Sequence, residues 1–560
     1  MDYKQQVNKR FEELGPLHDR MLIDRGIYFL APYVMKDYQD KEIQKVDNVT
    51  SRDPRNFADR IIAVLNSAEP PPEVEGESLN DKDMGALEAF WYAARDDANK
   101  RLATKMMMPI HPFLVWHDCM SGWVVLRVWL YEDEGGLQFD ILPLDPLDVA
   151  WDVGGKGLLY AAHKIKKSKA LIEMEYGKVI EKKEDTVIDC YGETDHVVYV
   201  GDDIVKQEPN PFGKVPFVIK PVQLTPMVSK VRESADAIAN YGESLYSAIR
   251  GTGGSVEVMN QFLSILQTLN MQYFRWPLGI KTESGQLPEG DILAAGAQTP
   301  LGIRDDIVKM PVGEIKEAGA LFYSIISGEF QRATLPYSDW GDLPFQLPDL
   351  ALARLDRQRD QFLEPRIRTL EQAYADVANM VLEQYQKFGF KAKVRIKDKE
   401  IDFKLPDAKK PFTISFHMAT TSPEKDISNY ALAAKAKALE LPTSKVWRDI
   451  LHIEDISETE SERLSELAAM LSPKILLYRL ARNAIQQAEE LTGEEAEVKW
   501  AEAKILSAEL QMGEEEIAGR PVRKPALGET RKPPEAPLAA EEKTAEAQIT
   551  RTEEGRGGPV

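Results

Sequence analysis

The chain has 560 residues, 43% of them hydrophobic and 29% charged, and a formal net charge of −21. Such a length and balance describe a globular protein of two or more domains, each able to bury a core. The charge argues against wrapping nucleic acid by phosphate neutralisation, which needs a basic face, but is compatible with letting a duplex slide past without sticking. Two cysteines, Cys119 and Cys190, cannot build a disulfide framework and indicate a reducing compartment. No apolar run approaches the roughly 20 residues that cross a bilayer. The polar start MDYKQQVNKRFEELGP has no signal-peptide core, so neither export nor a membrane span is expected.

Residues 1–110 read as mostly helical, with charged segments at Lys9–Glu13 and Asp81–Ala103 either side of Pro70-Pro71-Pro72. Pro112–Tyr131, rich in Val, Trp, Phe and Leu around a Ser-Gly break, predicts a β-hairpin. Phe139–Val149 and Thr186–Val200 add strand-like runs. Between them the lysine-rich Lys164–Lys183 reads as a solvated face, with a short helix at Ala170–Tyr176. Asn210-Pro-Phe-Gly-Lys-Val-Pro216 predicts a turn, followed by a strand from Phe217. Val228–Arg250 and Ser255–Gln272 then predict helix broken at Gly251-Thr-Gly-Gly254, with Met259, Phe262, Leu263, Leu266 and Leu269 on one stripe. After a Gly- and Pro-rich stretch with short strands at 273–312, Val312–Phe330 predicts a further helix carried by Ile315, Ala318, Phe322, Ile325 and Ile326.

The stretch that follows organises the chain. Ala333–Pro348 is an irregular loop holding Tyr337, Trp340 and Phe345 among Asp339 and Asp342, and a loop that long inside a compact protein usually has a job. Beyond it Leu363, Ile367, Leu370, Tyr374, Val377, Val381 and Tyr385 recur at helical spacing. A helix over Leu350–Phe388 would be about 58 Å long, and Pro365 predicts a kink in it. Lys391–Lys410 reads as extended, Pro411–Met418 as a β-run, and Ser422 to about Met512 as helical with breaks near Pro442, Pro473 and Gly493. The tail from Gly513 mixes charge with proline and has almost no aromatics, a composition expected to stay disordered. The fold class expected is α+β, mainly α.

No spacing points to catalysis. His111, His117 and Cys119 could face one side of a shared strand and hold a metal, yet no second ligand cluster stands at zinc-like spacing. Gly251-Thr-Gly-Gly-Ser255 lacks the Lys-Ser/Thr of a phosphate loop and reads as a helix break; Gly154-Gly-Lys-Gly157 has the same defect. G-x-S-x-G, H-E-x-x-H and paired C-x-x-C are absent. Neither an enzyme nor a cofactor is expected. The alternatives left open are an acidic, metal-dependent phosphoryl-transfer enzyme whose carboxylates the spacing does not reveal, and a helical scaffold or adaptor without a channel.

The order of elements resembles that of the portal (head-to-tail connector) proteins of tailed double-stranded DNA bacteriophages, the short-tailed type especially. Three local signals carry the likeness: the aromatic-Gly-Lys-Val-Pro turn at Asn210–Pro216, Tyr241-Gly-Glu-Ser244, and Trp276-Pro-Leu-Gly with the Pro288-Glu-Gly turn. The resemblance implies a ring of about twelve copies around an axial channel at one capsid vertex, assembled in the host cytoplasm and retained in the virion. It implies an N-terminal wing over 1–227, stem helices at 228–272 and 312–332, and a clip at 273–311. A tunnel loop at 333–349 and a tunnel helix at 350–388 would follow, then wing strands at 389–420, a helical crown at 421–515 and a tail at 516–560. Partners implied are duplex DNA without sequence preference, terminase, major capsid and scaffolding proteins, and tail adaptors. Tyr337, Asp339, Trp340, Asp342, Phe345, Arg354, Arg357 and Arg359 would face the channel, and Lys281, Glu283 and Arg304 the terminase. Arg366 and Arg368 could add transient contacts, or pair within the helix with residues such as Asp356, Asp360 and Glu364. The loop departs from the family pattern, carrying only acidic charges, Asp339 and Asp342, where the resemblance implies lysines.

Overall fold

The computed structural model describes most of residues 3–223 and 241–275, the helices and strands within 278–418, and scattered positions from 430 to 505, some through the backbone alone. The chain divides into two compact units, Met1–Glu458 and Thr459–Val560. In the second, the described positions, among them Tyr478, Ala481 and Trp500, are helical. Helix and sheet are mixed, as an α+β chain requires.

The first unit opens with α1 (Tyr3–Glu13), α2 (Gly15–Tyr28) and α3 (Asp53–Asn66), then β1 (Pro72–Glu75), α4 (Asp81–Thr104) and α5 (Ile110–Met120). Pro16 and Pro54 lie in the first turns of α2 and α3, where no intrahelical donor is lost. Helix α5 corrects the expected hairpin: Ile110–Met120 is helical, and only Trp123–Asp133 forms a strand, β2. Ile110, Leu114, Val115, Cys119 and Met120 are all buried, so burial among neighbouring helices overrides the local β-preference.

β2 is the middle strand of an antiparallel sheet between β3 (Gly136–Leu144) and β9 (Phe217–Pro221). A second sheet is an antiparallel meander in chain order: β4 (Val149–Gly154), β5 (Gly157–Ser168), β6 (Glu184–Gly192), β7 (Asp195–Val200) and β8 (Asp203–Pro209). The short helix α6 (Lys169–Tyr176) stands between β5 and β6 and ends on Gly177 in the left-handed conformation. Arg127 of β2 ties the sheets together, reaching Asp140 on β3 at 2.7 Å and Asp189 on β6 at 3.0 Å.

The remainder of the described unit is α7 (Ser255–Arg275), a hairpin of β10 (Leu278–Lys281) and β11 (Asp306–Lys309), α8 (Ile315–Ala333) and α9 (Asp349–Phe388). A second hairpin, β12 (Lys393–Ile396) with β13 (Lys399–Asp402), precedes β14 (Thr413–Phe416), which returns to pair with β1. Helix α9, 40 residues and about 60 Å long, runs unbroken through Pro365. Thr369 Oγ1 donates to the Pro365 carbonyl at 2.9 Å. Every member of the expected stripe from Leu363 to Tyr385 is buried, which makes the C-terminal part of α9 the spine of the core.

One buried side chain shows how that spine meets the sheet. β9 pairs with β2 only as far as Arg127, so beyond it β2 keeps β3 on one edge and lacks a strand partner on the other. Gln384 supplies one: its Oε1 accepts from Leu130 N–H at 2.9 Å and its Nε2 donates to the Val128 carbonyl at 2.7 Å. A helix side chain thus completes the hydrogen-bonding edge of a strand.

Candidate functional site

The expected turn at Asn210–Pro216 is present. Asn210 Nδ2 donates to the carbonyls of Gly192 and Lys214, and its Oδ1 accepts from Phe212 N–H. Gly213 has φ +64, a conformation that favours glycine. The turn docks on the end of α9, where Lys387 Nζ donates to the Phe212 carbonyl and Lys214 pairs with Glu383. Its role in this structure is to anchor the long helix to the sheets.

Tyr241-Gly-Glu-Ser244 departs from expectation. Residues 227–238 lie outside the described residues, and Tyr241–Arg250, expected as the end of a helix, is a series of turns. Gly242 has φ +74, and a Cβ there would stand 2.2 Å from Trp123 Nε1, which itself donates to the Tyr241 carbonyl. Glu243 binds Arg250 at 2.7 Å, Ser244 Oγ donates to Asp24 Oδ2 at 2.7 Å, and Arg250 also reaches Asp24 at 3.2 Å. Arg20 of α2 donates to the Ser121, Ala239 and Tyr241 carbonyls. The motif is therefore a buried clasp that fastens the entry to α7 onto α2 and the α5–β2 turn. Burial pushes Asp24 up to about 6, against the pull of Arg250, the Ser244 hydroxyl and Arg20.

Beneath the clasp lie a buried carboxyl group and a buried guanidinium. Asp118 of α5 is fully buried, and neither of its carboxylate oxygens has a hydrogen-bond partner among the described residues. Burial holds its pKa well above the carboxylate range, with the Arg366 guanidinium pulling the other way. Arg366, next to Pro365, is itself buried and reaches the Glu243 carbonyl at 3.5 Å. That burial corrects one expectation: Arg366 is a core residue, with no surface for passing DNA.

Neither the family models nor the curated proteins yield a match to this sequence.

Of the residues expected at a channel, Tyr337, Asp339, Trp340, Asp342 and Phe345 lie outside the described residues. Arg354 and Arg357 are on α9, described there through the backbone. Arg359 is half-buried on the same helix, 3.7 Å from Asp360. Arg368 pairs with Glu364 one turn away at 2.9 Å, so for this residue the within-helix pairing is what the structure has. Lys281 closes β10, while Glu283 and Arg304 lie outside the described residues.

The possible metal triad dissolves in the helix. His111 is engaged by Tyr374 OH at 3.0 Å and the Leu65 carbonyl at 3.1 Å, and His117 by Ser121 Oγ at 3.2 Å. Cys119 is buried. Among the described residues no group of three His, Cys, Asp or Glu side chains is placed to hold a metal, and no helix is long and apolar enough to cross a membrane.

The feature that the sequence only half revealed is the surface of α8. Ile326 and Phe330 are buried, and Phe322 meets Phe262 of α7 edge-on at 5.2 Å. Yet Leu321 is 65% exposed, Ile325 54%, Tyr323 45% and Phe322 44%. The helix stretch Ala318–Gly328 contains no charged residue, in a chain that is 29% charged. Two members of the stripe expected from periodicity, Phe322 and Ile325, are thus among the exposed residues, because spacing marks an apolar stripe without saying whether a neighbour covers it.

Proposed function

We infer that the chain is the subunit of a portal-type ring. Copies assemble around an axial channel at one capsid vertex, through which double-stranded DNA is packaged and later ejected. The observation that carries this reading is the pair α7 and α8, linked through the β10–β11 hairpin, with an apolar, charge-free stretch of α8 exposed in the single chain. Large apolar side chains grouped on one helix call for a partner, since roughly 25 cal/mol is gained per Å² of apolar surface removed from water. In a ring each copy offers one face to its neighbour and receives another, so every subunit's α8 can be covered.

The remaining features fit the same reading. The order of helix pair, hairpin excursion and long helix follows the portal resemblance, with α7 and α8 in the stem, 273–311 as clip and α9 as tunnel helix. A net charge of −21 suits a channel that passes any sequence with few lasting phosphate contacts. In this reading the channel surface includes Tyr337, Asp339, Trp340, Asp342, Phe345, Arg354, Arg357 and Arg359. Lys281, Glu283 and Arg304 belong to the end that meets terminase and then tail adaptors. The chain carries out no catalysis of its own.

Negative-stain imaging and native mass spectrometry of the purified protein test the proposal. Closed rings of about twelve copies with a central opening are expected. A monomer or small oligomer with metal-dependent phosphoryl-transfer activity, or particles without an opening, overturns it.

A further inference from the structure

Helix α7 stands between two surfaces. On one side it meets α8, where Phe262 lies 5.2 Å from Phe322 and 6.5 Å from Tyr323, ring centre to ring centre. On the other it holds the segment that leads into α3. Asp47 N–H donates to Thr268 Oγ1 at 3.0 Å, Val49 N–H to Ser264 Oγ at 2.9 Å, and Ser51 N–H to Asn260 Oδ1 at 2.7 Å. Asn260 and Ser264 each stand two residues from Phe262, a rotation of about 200° around a helix. The two contacts therefore use opposite faces of α7.

On the α8 side the surface is apolar and projects: Leu321, Phe322, Tyr323, Ser324 and Ile325 are all exposed. The opposite side is apolar too, and it is hollow. Leu22 and Ile23 of α2, with Phe29 just past its end, are each more than half exposed. Beside them opens a cavity of about 410 Å³, walled by Ile23, Ile27, Val34, Pro54 and Val256. Gly26–Met35 contains no charged residue, as Ala318–Gly328 contains none on α8. A charge stands at the margin of each surface: Lys36 lines the cavity, and Glu329 lies one turn beyond Ile325. Both are exposed, and neither has an ion-pair partner among the described residues.

A ring that closes through one repeated contact is heterologous. Each subunit then needs two different faces, on opposite sides, that complement each other. A projecting apolar helix on one side of α7 and a hollow apolar surface on the other, with opposite charges at their margins, meet that requirement. Joining them takes from water the two apolar surfaces that the single chain leaves open. We propose that α8 of one copy seats on the α2 surface of the next, with Leu321 and Ile325 at the cavity and Glu329 paired with Lys36. The inference rests on the ring reading and adds which two faces meet.

The test is a disulfide between copies. Ile23→Cys and Leu321→Cys, combined in the full-length chain and oxidised with copper phenanthroline, should give a ladder of linked multimers on a nonreducing gel. Cys119 and Cys190 are buried, so the introduced thiols are the ones that react. Each single variant should run as a monomer. Rings in native mass spectrometry without the ladder, or dimers from Leu321→Cys alone, overturn this pairing of faces and leave the ring. A ladder from open chains that never close keeps the pairing and removes the ring. The charges give a second reading at exposed positions on which the fold does not depend. Lys36→Glu should shift native mass from rings toward monomers, and adding Glu329→Lys should restore the rings. A double reversal that assembles no better than Lys36→Glu also overturns the pairing.

Discussion

At the scale of single residues, the buried ionisable groups around α5 oppose one another. Asp118 holds its proton more tightly in the folded protein than in the unfolded chain. Its contribution to stability is therefore present at low pH and lost as pH rises beyond the ordinary carboxylate range. Asp24, raised to about 6, acts in the same direction. His117 acts oppositely: burial lowers it to about 4, so stability is lost as pH falls from the usual value of 6.5 toward 4. Asp118→Asn keeps the shape of the protonated acid without its proton. Urea unfolding should find the variant about 1–2 kcal/mol more stable than the parent at pH 8 and nearly equal to it at pH 4. The same gain at both pH values would show that Asp118 does not titrate in this way.

At the scale of elements, side chains stand in for missing secondary structure. Gln384 continues a strand edge that β9 leaves open, and Asn210 closes a turn around itself. Replacing Gln384 by Leu preserves most of the packing but strands a buried N–H and a buried carbonyl. A loss of about 2–4 kcal/mol is expected in chemical denaturation. Gln384→Glu should fall between, because it keeps an acceptor for Leu130 and loses the donor for Val128. A leucine variant as stable as the parent would mean that another group satisfies that edge. The α9 stripe that packs beside Gln384 was legible in the sequence, since seven residues at helical spacing have one reading. Gln384 was not, because a polar residue on a long helix carries no local sign of being aimed at a strand.

At the scale of the molecule, the exposed side of α8 sets the expectation for assembly. Leu321→Asp combined with Ile325→Asp places two charges where the single chain already meets water. The melting temperature of the isolated subunit should change little, since exposed substitutions are typically worth within about 0.5 kcal/mol. Assembly, in contrast, should fail, with native mass shifting from rings to monomers. Rings that persist in this variant would place the subunit interface elsewhere.

Periodicity and turn chemistry by themselves determined the helices α7, α8 and α9, the strand β9, the turn at Asn210 and the mixed fold class. Each of these rests on interactions within a few residues, and such interactions are written in spacing. Tertiary structure alone decided that Ile110–Met120 is helix, that Tyr241–Arg250 turns, that Arg366 is core, and that the backbone N–H groups of Asp47, Val49 and Ser51 form a ladder on Thr268, Ser264 and Asn260 of α7. For the turns at Tyr241, for Arg366 and for the ladder on α7 the deciding neighbour is more than a hundred residues away in the chain, and Ile110–Met120 is held by helices as distant as α3 and α9. Burial or a hydrogen bond delivered from that distance outweighs a local preference worth well under a kilocalorie per residue.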